Sequence, residues 1–210
     1  MPRIWLALVL FWLCGPAWAL LPATLDSADL RLSLGPSMAY LEDSKGMLSA
    51  EQVGALSDER FTPVNGEHAN LGKNDSVWWF KVRLNNRLAQ DLAGYLEVNY
   101  PLLDHLQVYL RHADGQWQMQ ESGDRFAFSQ RPVQVRNFWF PLELTPGEST
   151  LLVRVETTST IFMPLFFSTY QASAAAQENL MGFNGAFYGV LFAMFCYNLF
   201  LFISLRESAY

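Results

Sequence analysis

The residues best suited to binding chemistry in this chain lie on short β-type stretches, where alternate side chains point to opposite faces. In Val77–Leu84, Trp78, Phe80, Val82 and Leu84 form an apolar set, and Trp79, Lys81 and Arg83 form the other. Leu96, Val98 and Tyr100 oppose Tyr95, Glu97 and Asn99. Leu106, Val108 and Leu110 oppose His105, Gln107, Tyr109 and Arg111, and Leu151, Val153 and Val155 oppose Arg154 and Glu156. The apolar sets predict a core. The others predict a face that is aromatic and charged at once, with Trp79, Tyr95 and Tyr109 among Lys81, Arg83, Glu97, Arg111 and Glu156. A flat ring beside planar hydrogen-bonding groups suits a sugar or another small polar ligand, which needs apolar stacking and directed polar contacts. An ordinary solvated sheet face held by cross-strand ion pairs has the same composition.

A second group lies in the segment from Gly123-Asp124 to Gln130-Arg131-Pro132, followed by Arg136-Asn137-Phe138-Trp139-Phe140. Two arginines near a tryptophan suit a clamp on a carboxylate or hydroxyl pair. The alternative is an Arg131–Asp124 pair that pins a long loop. The expected ligand-binding set is therefore Trp79, Arg83, Glu97, Tyr109, Arg131 and Arg136. Asp104-His105 could form an acid–base pair, or His105 could simply begin a strand. His68, His105 and His112 lack metal-ligand spacing and no nucleophile motif accompanies them. The sequence thus predicts no catalytic residue, no metal and no cofactor. One enzymatic alternative, an exported hydrolase using Glu97 and Glu156 as a carboxylate pair, rests on strand parity alone.

Positioning these residues requires a β-rich domain. Val77–Leu84, Tyr95–Tyr100, His105–Arg111, Arg136–Leu142, Thr150–Glu156 and Ile161–Ser168 are rich in β-branched and aromatic residues. Asn85-Asn86, Pro101 to Asp104, Asp114-Gly115, Gly123-Asp124 and Pro146-Gly147 separate them as turns. Many short strands at this spacing predict an all-β sandwich or jelly roll over residues 20–170. Ahead of them, Leu30–Leu34 reads as a weak strand closed by Gly35-Pro36, and Ala39–Asp43 leads to a turn at Ser44-Lys45-Gly46. Ser49 and Gln52 form a capping box that opens a short helix through Leu56. Ser57–Ser76, polar and broken by Pro63, Gly66 and Gly72, predicts a long irregular surface connection.

Two apolar stretches set the location. Arg3 precedes an unbroken apolar run, Ile4–Leu13, and Ala17 and Ala19 supply small residues at −3 and −1. That is the layout of a secretory signal peptide over residues 1–19, with cleavage expected after Ala19. Phe11-Trp12-Leu13 before Cys14 lacks the small residues of a lipoprotein cleavage site. Met181–Leu205 has no charged residue and would reach about 37 Å as a helix, enough to cross a hydrocarbon core of about 30 Å. A juxtamembrane connection, 171–180, flexible or helical, precedes this span, and a cytoplasmic stub, 206–210, begins at Arg206, which agrees with the positive-inside bias. Between Leu20 and Glu178 there are 12 Lys and Arg against 19 Asp and Glu, a net −7 without any basic run. This argues against nucleic acid or anionic lipid as a partner. The two cysteines, Cys14 and Cys196, both lie outside the exported domain, so its stability must come from its core.

A resemblance can be named on these residues. Tyr40-Leu41-Glu42-Asp43, Val77–Asn86, Tyr100-Pro101-Leu102-Leu103-Asp104, Gly123-Asp124, Phe128–Pro132 and Pro164-Leu165 resemble, in that order, one family. It is the type 2 extracellular sensor domain of bacterial seven-transmembrane receptors with diverse intracellular signalling modules. Gly185–Gly189 and Tyr197–Leu201 resemble the first membrane helix of the same receptors. The resemblance implies a jelly roll akin to carbohydrate-binding modules, in the periplasm and anchored in the inner membrane. It also implies further membrane helices and a cytoplasmic output, commonly a histidine kinase or diguanylate cyclase, outside these residues. The function expected is a ligand-sensing input domain for a small molecule or carbohydrate, in which pairing with a second copy or a partner receptor stays open. The other non-enzymatic reading is a membrane-anchored carbohydrate-binding or adhesion module without signalling.

Overall fold

The computed structural model describes residues 20–111 and 115–205. The expected leader, 1–19, and stub, 206–210, lie outside the described residues. Thirteen strands are present among them: β1 (Ala23–Leu25), β2 (Arg31–Ser33), β3 (Met38–Asp43), β4 (Thr62–Pro63), β5 (Ala69–Lys73), β6 (Val77–Asn86), β7 (Leu92–Val98), β8 (His105–Arg111), β9 (Trp117–Ser122), β10 (Phe138–Leu144), β11 (Gly147–Glu156), β12 (Thr160–Met163) and β13 (Leu165–Thr169). Helix α1 spans Ala50–Ala55 and α2 spans Tyr170–Leu205.

Seven strands form one sheet in the order β4-β3-β6-β11-β8-β9, with β1 parallel to β6 beyond the end of β3. Four form the facing sheet, β10-β7-β13-β2, and β12 pairs with β5 as a separate ribbon. All pairings but β1–β6 are antiparallel. The main core lies between the sheets. Phe80, Val82 and Leu84 of β6, Leu106 and Val108 of β8, and Val153 and Val155 of β11 meet Leu96 and Val98 of β7, Phe138 and Phe140 of β10 and Phe167 of β13. The sandwich is the expected fold, and the inward sets are those that strand parity predicted. Trp78 and Tyr100 are the partial members, half-buried against this core, and the Trp78 indole N–H reaches the Asn74 side chain at 2.8 Å.

The amino-terminal third differs from expectation in two respects, the first being β1, which the sequence did not mark. Residues 57–76 are not an irregular connection: a one-turn 3₁₀ helix, Asp58–Arg60, is followed by β4 and β5. Pro63, Gly66 and Gly72 break this stretch into pieces too short to show a period, yet Phe61, Val64 and Ala69 are buried. The capping box is present, with Ser49 Oγ accepting from Gln52 N at 3.3 Å and Gln52 Oε1 accepting from Ser49 N at 2.9 Å. The resulting helix is amphipathic and buries Ala50 and Val53. Gly35 is required by close approach, since a Cβ there would lie 1.9 Å from the Glu67 carbonyl oxygen.

Helix α2 is unbroken for 36 residues. Its Gly182–Ser204 segment is long and apolar enough to cross a membrane, and its side chains pack against nothing else in the domain. The 171–180 connection is thus the first part of the helix that carries the span.

Candidate functional site

Trp79, Arg83, Glu97 and Tyr109 lie on the strand faces that parity assigned, but the faces belong to two sheets, and Arg131 and Arg136 lie in the loop before β10, on no strand. β6, β8 and β11 share the seven-stranded sheet, whereas β7 sits in the four-stranded one. Their outward sides therefore point away from each other across the sandwich. The expected single face is two.

On the seven-stranded side the outward residues around Trp79 are covered, while Arg111 and Glu156 are exposed. Trp79 is only 1% exposed, packed in a second cluster with Ala39, Ala50, Val53, Phe61, Val77 and Leu152. Helix α1 and the 57–61 turn form its roof, and the Trp79 ring meets Tyr109 at 5.7 Å between centroids. The expectation that Trp79 stacks on ligand is corrected: sequence parity located its face and could not show the helix that covers it. Tyr109 is half-buried, and its hydroxyl donates to Gln107 Oε1 at 3.1 Å. Arg83 is committed to Asp58 Oδ2 at 2.7 Å, and Lys81 Nζ stands 3.0 Å from Asp58 Oδ1. Trp117, half-buried, closes the cluster edge against Gly54, where a Cβ would lie 2.6 Å from the indole.

Arg131 is structural as well. Arg131 donates through Nη1 to the carbonyls of Val135 and Arg136, each at 2.9 Å, and lies over the rings of Phe138 (4.7 Å) and Phe128 (5.2 Å). Its guanidinium folds the loop onto itself, while the Arg136 residue is exposed. Arg125, not Arg131, makes the acid pair here, reaching Asp104 Oδ2 at 3.1 Å. The same oxygen accepts from Thr158 N at 2.9 Å and Thr158 Oγ1 at 2.8 Å. The Thr158 amide, more than its hydroxyl or Arg125, holds the Asp104 carboxyl below the usual carboxylate range against the cost of burial. Asp124 moves the other way: burial and the nearby Asp104 charge push it up. An open cleft of about 290 Å³ lies here, lined in part by Asp104, His105, Arg125, Phe126 and Thr158. Its most buried carboxylate, Asp104, already joins two loops through Oδ2, and His105 faces Glu121 at 3.3 Å rather than Asp104.

The outward side of the four-stranded sheet is different. Cross-strand pairing places Trp139, Glu97 and Phe166 in one row and Pro141, Tyr95, Ser168 and Arg31 in the next. Tyr95 lies between two rings: Trp139 at 5.1 Å and 36°, and Tyr170 at 4.6 Å and 44°. Trp139 and Tyr95 are half-buried, and Tyr170 is 43% exposed. Burial raises the Tyr170 phenol, with Tyr95 and Glu143 adding to the shift. Beside the rings runs a polar chain. Arg31 donates to Glu97 Oε2 from Nη2 at 2.9 Å and from Nε at 3.3 Å. Asn99 Nδ2 reaches the same oxygen at 3.4 Å, and Asn137 Nδ2 donates to Asn99 Oδ1 at 3.1 Å. Arg31 also covers the Phe166 ring at 4.4 Å. Glu97 is 2% exposed, so it orients Arg31 and Asn99 from beneath rather than meeting solvent itself.

This row of partly exposed rings beside fixed amide and guanidinium donors is the best binding face among the described residues. Parity reasoning found Tyr95 and Glu97. It missed Arg31, whose Leu30–Leu34 strand read as weak, and it missed Tyr170, which sits outside every strand. Glu97 and Glu156 lie in opposite sheets, and Glu156 pairs with Arg154 at 3.1 Å. They form no carboxylate pair, which removes the hydrolase argument. No group of His, Cys, Asp and Glu among the described residues is arranged to hold a metal ion.

Tyr170 is also the first residue of α2. Thr169 caps the helix, its Oγ1 accepting from Ala172 N at 3.4 Å and from Leu30 N at 3.1 Å. The platform is thus covalently continuous with the candidate membrane span.

In the comparison with known families, 7TMR-DISM extracellular 2 matches residues 35–169. The chain belongs to that family of extracellular domains, as the sequence resemblance implied. No curated protein matches the chain. Among solved structures, a Bacillus thuringiensis Cry1Da tryptic core variant aligns at 8% identity and TM-score 0.32, over 72% of this chain and 25% of its own. A non-crystalline cellulose specific carbohydrate-binding module, CBM28, aligns at 8% identity and TM-score 0.27, over 50% of this chain and 72% of its own. A structure of carbohydrate-binding modules from the β-sandwich superfamily aligns at 10% and 0.28, over 68% and 55%. The chain spans a minor part of the first of these and about half of the last. Likenesses this distant carry no argument about ligand.

Proposed function

We propose that this chain is the periplasmic input domain of a bacterial inner-membrane signalling receptor, with a small polar ligand, a saccharide by preference, bound on the Trp139–Tyr95–Tyr170 platform. The observation that carries the reading is that Tyr95, at the middle of the platform, stacks on Tyr170, the residue from which the membrane helix starts. A sugar ring laid on Trp139 and Tyr95 would gain apolar stacking, while Arg31, Asn99 and Asn137 supply hydrogen bonds to its hydroxyls. Membership of an extracellular domain family and the candidate span support the location.

Signal passage then follows from geometry. A ligand biases a receptor only by binding one of two states better than the other. Wedging against Tyr95 displaces Tyr170, and because α2 is unbroken the displacement tilts or turns the whole helix, about 50 Å long. The role of this chain is recognition, without catalysis.

The test is a thermal-shift screen of the full chain in nanodiscs against neutral and charged mono- to tetrasaccharides and other small polar metabolites. A hit should lose at least tenfold in affinity in Trp139→Ala, with Arg111→Ala, on the other sheet, unaffected. A hit whose affinity survives Trp139→Ala and Tyr95→Ala places the ligand elsewhere and overturns the site.

A further inference from the structure

A buried carboxylate far from the binding face holds the start of the described chain. Asp58, in the 3₁₀ turn after α1, has its side chain 10% exposed and faces three donors. Arg83 Nη2 stands 2.7 Å from Oδ2 and Lys81 Nζ stands 3.0 Å from Oδ1. The third donor is a main-chain nitrogen, that of Leu20, 3.2 Å from Oδ2. Lys81 also donates to the Leu56 carbonyl at 3.3 Å and lies over the Phe61 ring, so its position is fixed independently. The Leu20 side chain packs on the second cluster, whereas Leu21 is 75% exposed. Three residues on, β1 begins its parallel pairing with β6.

Leu20 is also the residue that follows the small-x-small sequence Ala17-Trp18-Ala19. Two unrelated observations, a cleavage pattern in the sequence and a buried hydrogen-bonded seat in the fold, fall on the same nitrogen. We propose that the bond between Ala19 and Leu20 is a processing site whose product terminus is built into the domain: cleavage leaves the Leu20 amino group seated on Asp58. The reaction is hydrolysis by a leader peptidase of the exported-protein type. Water adds to the Ala19 carbonyl, the Ala19–Leu20 C–N bond breaks, Ala19 departs with a carboxylate, and Leu20 keeps its nitrogen as an amine that takes up a proton.

An amine can donate more than the single hydrogen of the amide it replaces, and hydrogen bonds to an ionised carboxylate are among the stronger ones. The exported chain would then begin as an anchored end, with Leu20 filling the edge of the cluster that covers Trp79. The proposal rests on export and cleavage at that junction and on no ligand.

The experiment labels amines on the full chain, expressed with its leader and held in its membrane, by brief acetylation read by peptide mass spectrometry. Lys45 and Lys73 are exposed and Lys81 is 4% exposed, so the chain carries its own open and closed references. The mature chain should begin at Leu20. Its α-amine should label about tenfold more slowly in the native chain than in the same chain unfolded in guanidinium, with Lys45 and Lys73 nearly unchanged. Asp58→Ala should release the α-amine while Lys45 and Lys73 report unchanged exposure. Because that variant leaves Lys81 unpaired, a second variant keeps Asp58 and inserts Gly-Ser between Ala19 and Leu20, so that the displaced terminus labels at the unfolded rate. A mature chain that begins elsewhere, or a native Leu20 α-amine that labels as fast as the unfolded chain, overturns the proposal. Neither outcome bears on the saccharide platform.

Discussion

Tyr95 and Tyr170 stack with ring centroids 4.6 Å apart and planes inclined by 44°, joining the middle strand of the binding face to the first residue of a 36-residue helix. The contact sits where the β domain ends and the membrane-directed helix begins. An offset aromatic pair contributes about 0.5–1.5 kcal/mol beyond its burial. Tyr170→Ala should therefore leave the sandwich folded and lower its stability by about 1 kcal/mol. Hydrogen exchange at the Ala172 and Ser173 amides, near the helix start, should quicken while core strand β11 stays protected. Equal quickening in both would show that the contact holds the whole domain rather than the helix junction.

Trp79 and Trp78 are adjacent in sequence and point to opposite sides of β6. Trp79 is 1% exposed, and Trp78 is half-buried with its indole N–H bonded to Asn74. Truncating a fully buried Trp costs about 3–5 kcal/mol. Trp79→Ala should fall in that range, and Trp78→Ala should cost at least about 1 kcal/mol less. Guanidinium unfolding of the two variants, followed by the remaining tryptophans, measures the difference; the reverse order would mean that α1 is a loose cover.

This pair also shows how far the sequence could be read. Period-two alternation placed the side chains from Trp78 to Leu84 of β6 on the correct sides, because backbone pleating alone decides that. It carried no information on which sheet β7 joins or on what packs outside β6, since both depend on contacts between residues distant in the chain. Edge strands fared worst. β9, Trp117–Ser122, buries only Ser122 outright, so its sequence lacks the alternation that marked β6 and β8. Asp58 was unremarkable in a polar stretch and becomes a buried hub only through Lys81 and Arg83 from the strand beneath it. At the candidate site, Glu97 and Tyr95 were legible and Tyr170 was not, since nothing local ties a helix start to a strand 75 positions earlier.

Arg31 and Glu97 form a one-sided pair, with side-chain exposures of 40% and 3%. Removing Arg31 leaves a buried carboxylate with only the long Asn99 contact, at a cost of about 1–3 kcal/mol. Arg31→Ala should therefore destabilise more than Glu97→Gln, which removes the buried charge along with the pair. The double variant should lie close to Glu97→Gln alone. Additive losses in a double-mutant cycle would show that the pair is not coupled.

Acid stability should depend on a small set of aspartates with opposed signs. Burial pushes Asp58 up, but Lys81, the Leu20 main-chain N–H and Arg83 outweigh it and hold the carboxyl below its ordinary value of 3.8. Asp104 is lowered from the same value, chiefly by the Thr158 amide. A carboxyl depressed in the folded state stabilises the fold above its unfolded pKa, and that contribution is lost as pH falls through the folded one. Asp124 is raised, mainly by burial, so its contribution is complete below the unfolded pKa and fades as pH rises through the folded value. The depressed groups outnumber the raised one. Stability should accordingly be nearly level above about pH 5 and fall as pH drops through and below about 3.8. Asp104→Asn should lower stability at neutral pH and flatten the acid limb, because one proton fewer is taken up on unfolding there. Asp124→Asn should instead steepen the limb slightly. Denaturant midpoints measured at half-unit steps from pH 3 to pH 8 test both signs, and an Asp104→Asn limb as steep as that of the unmodified chain would remove Asp104 from the set.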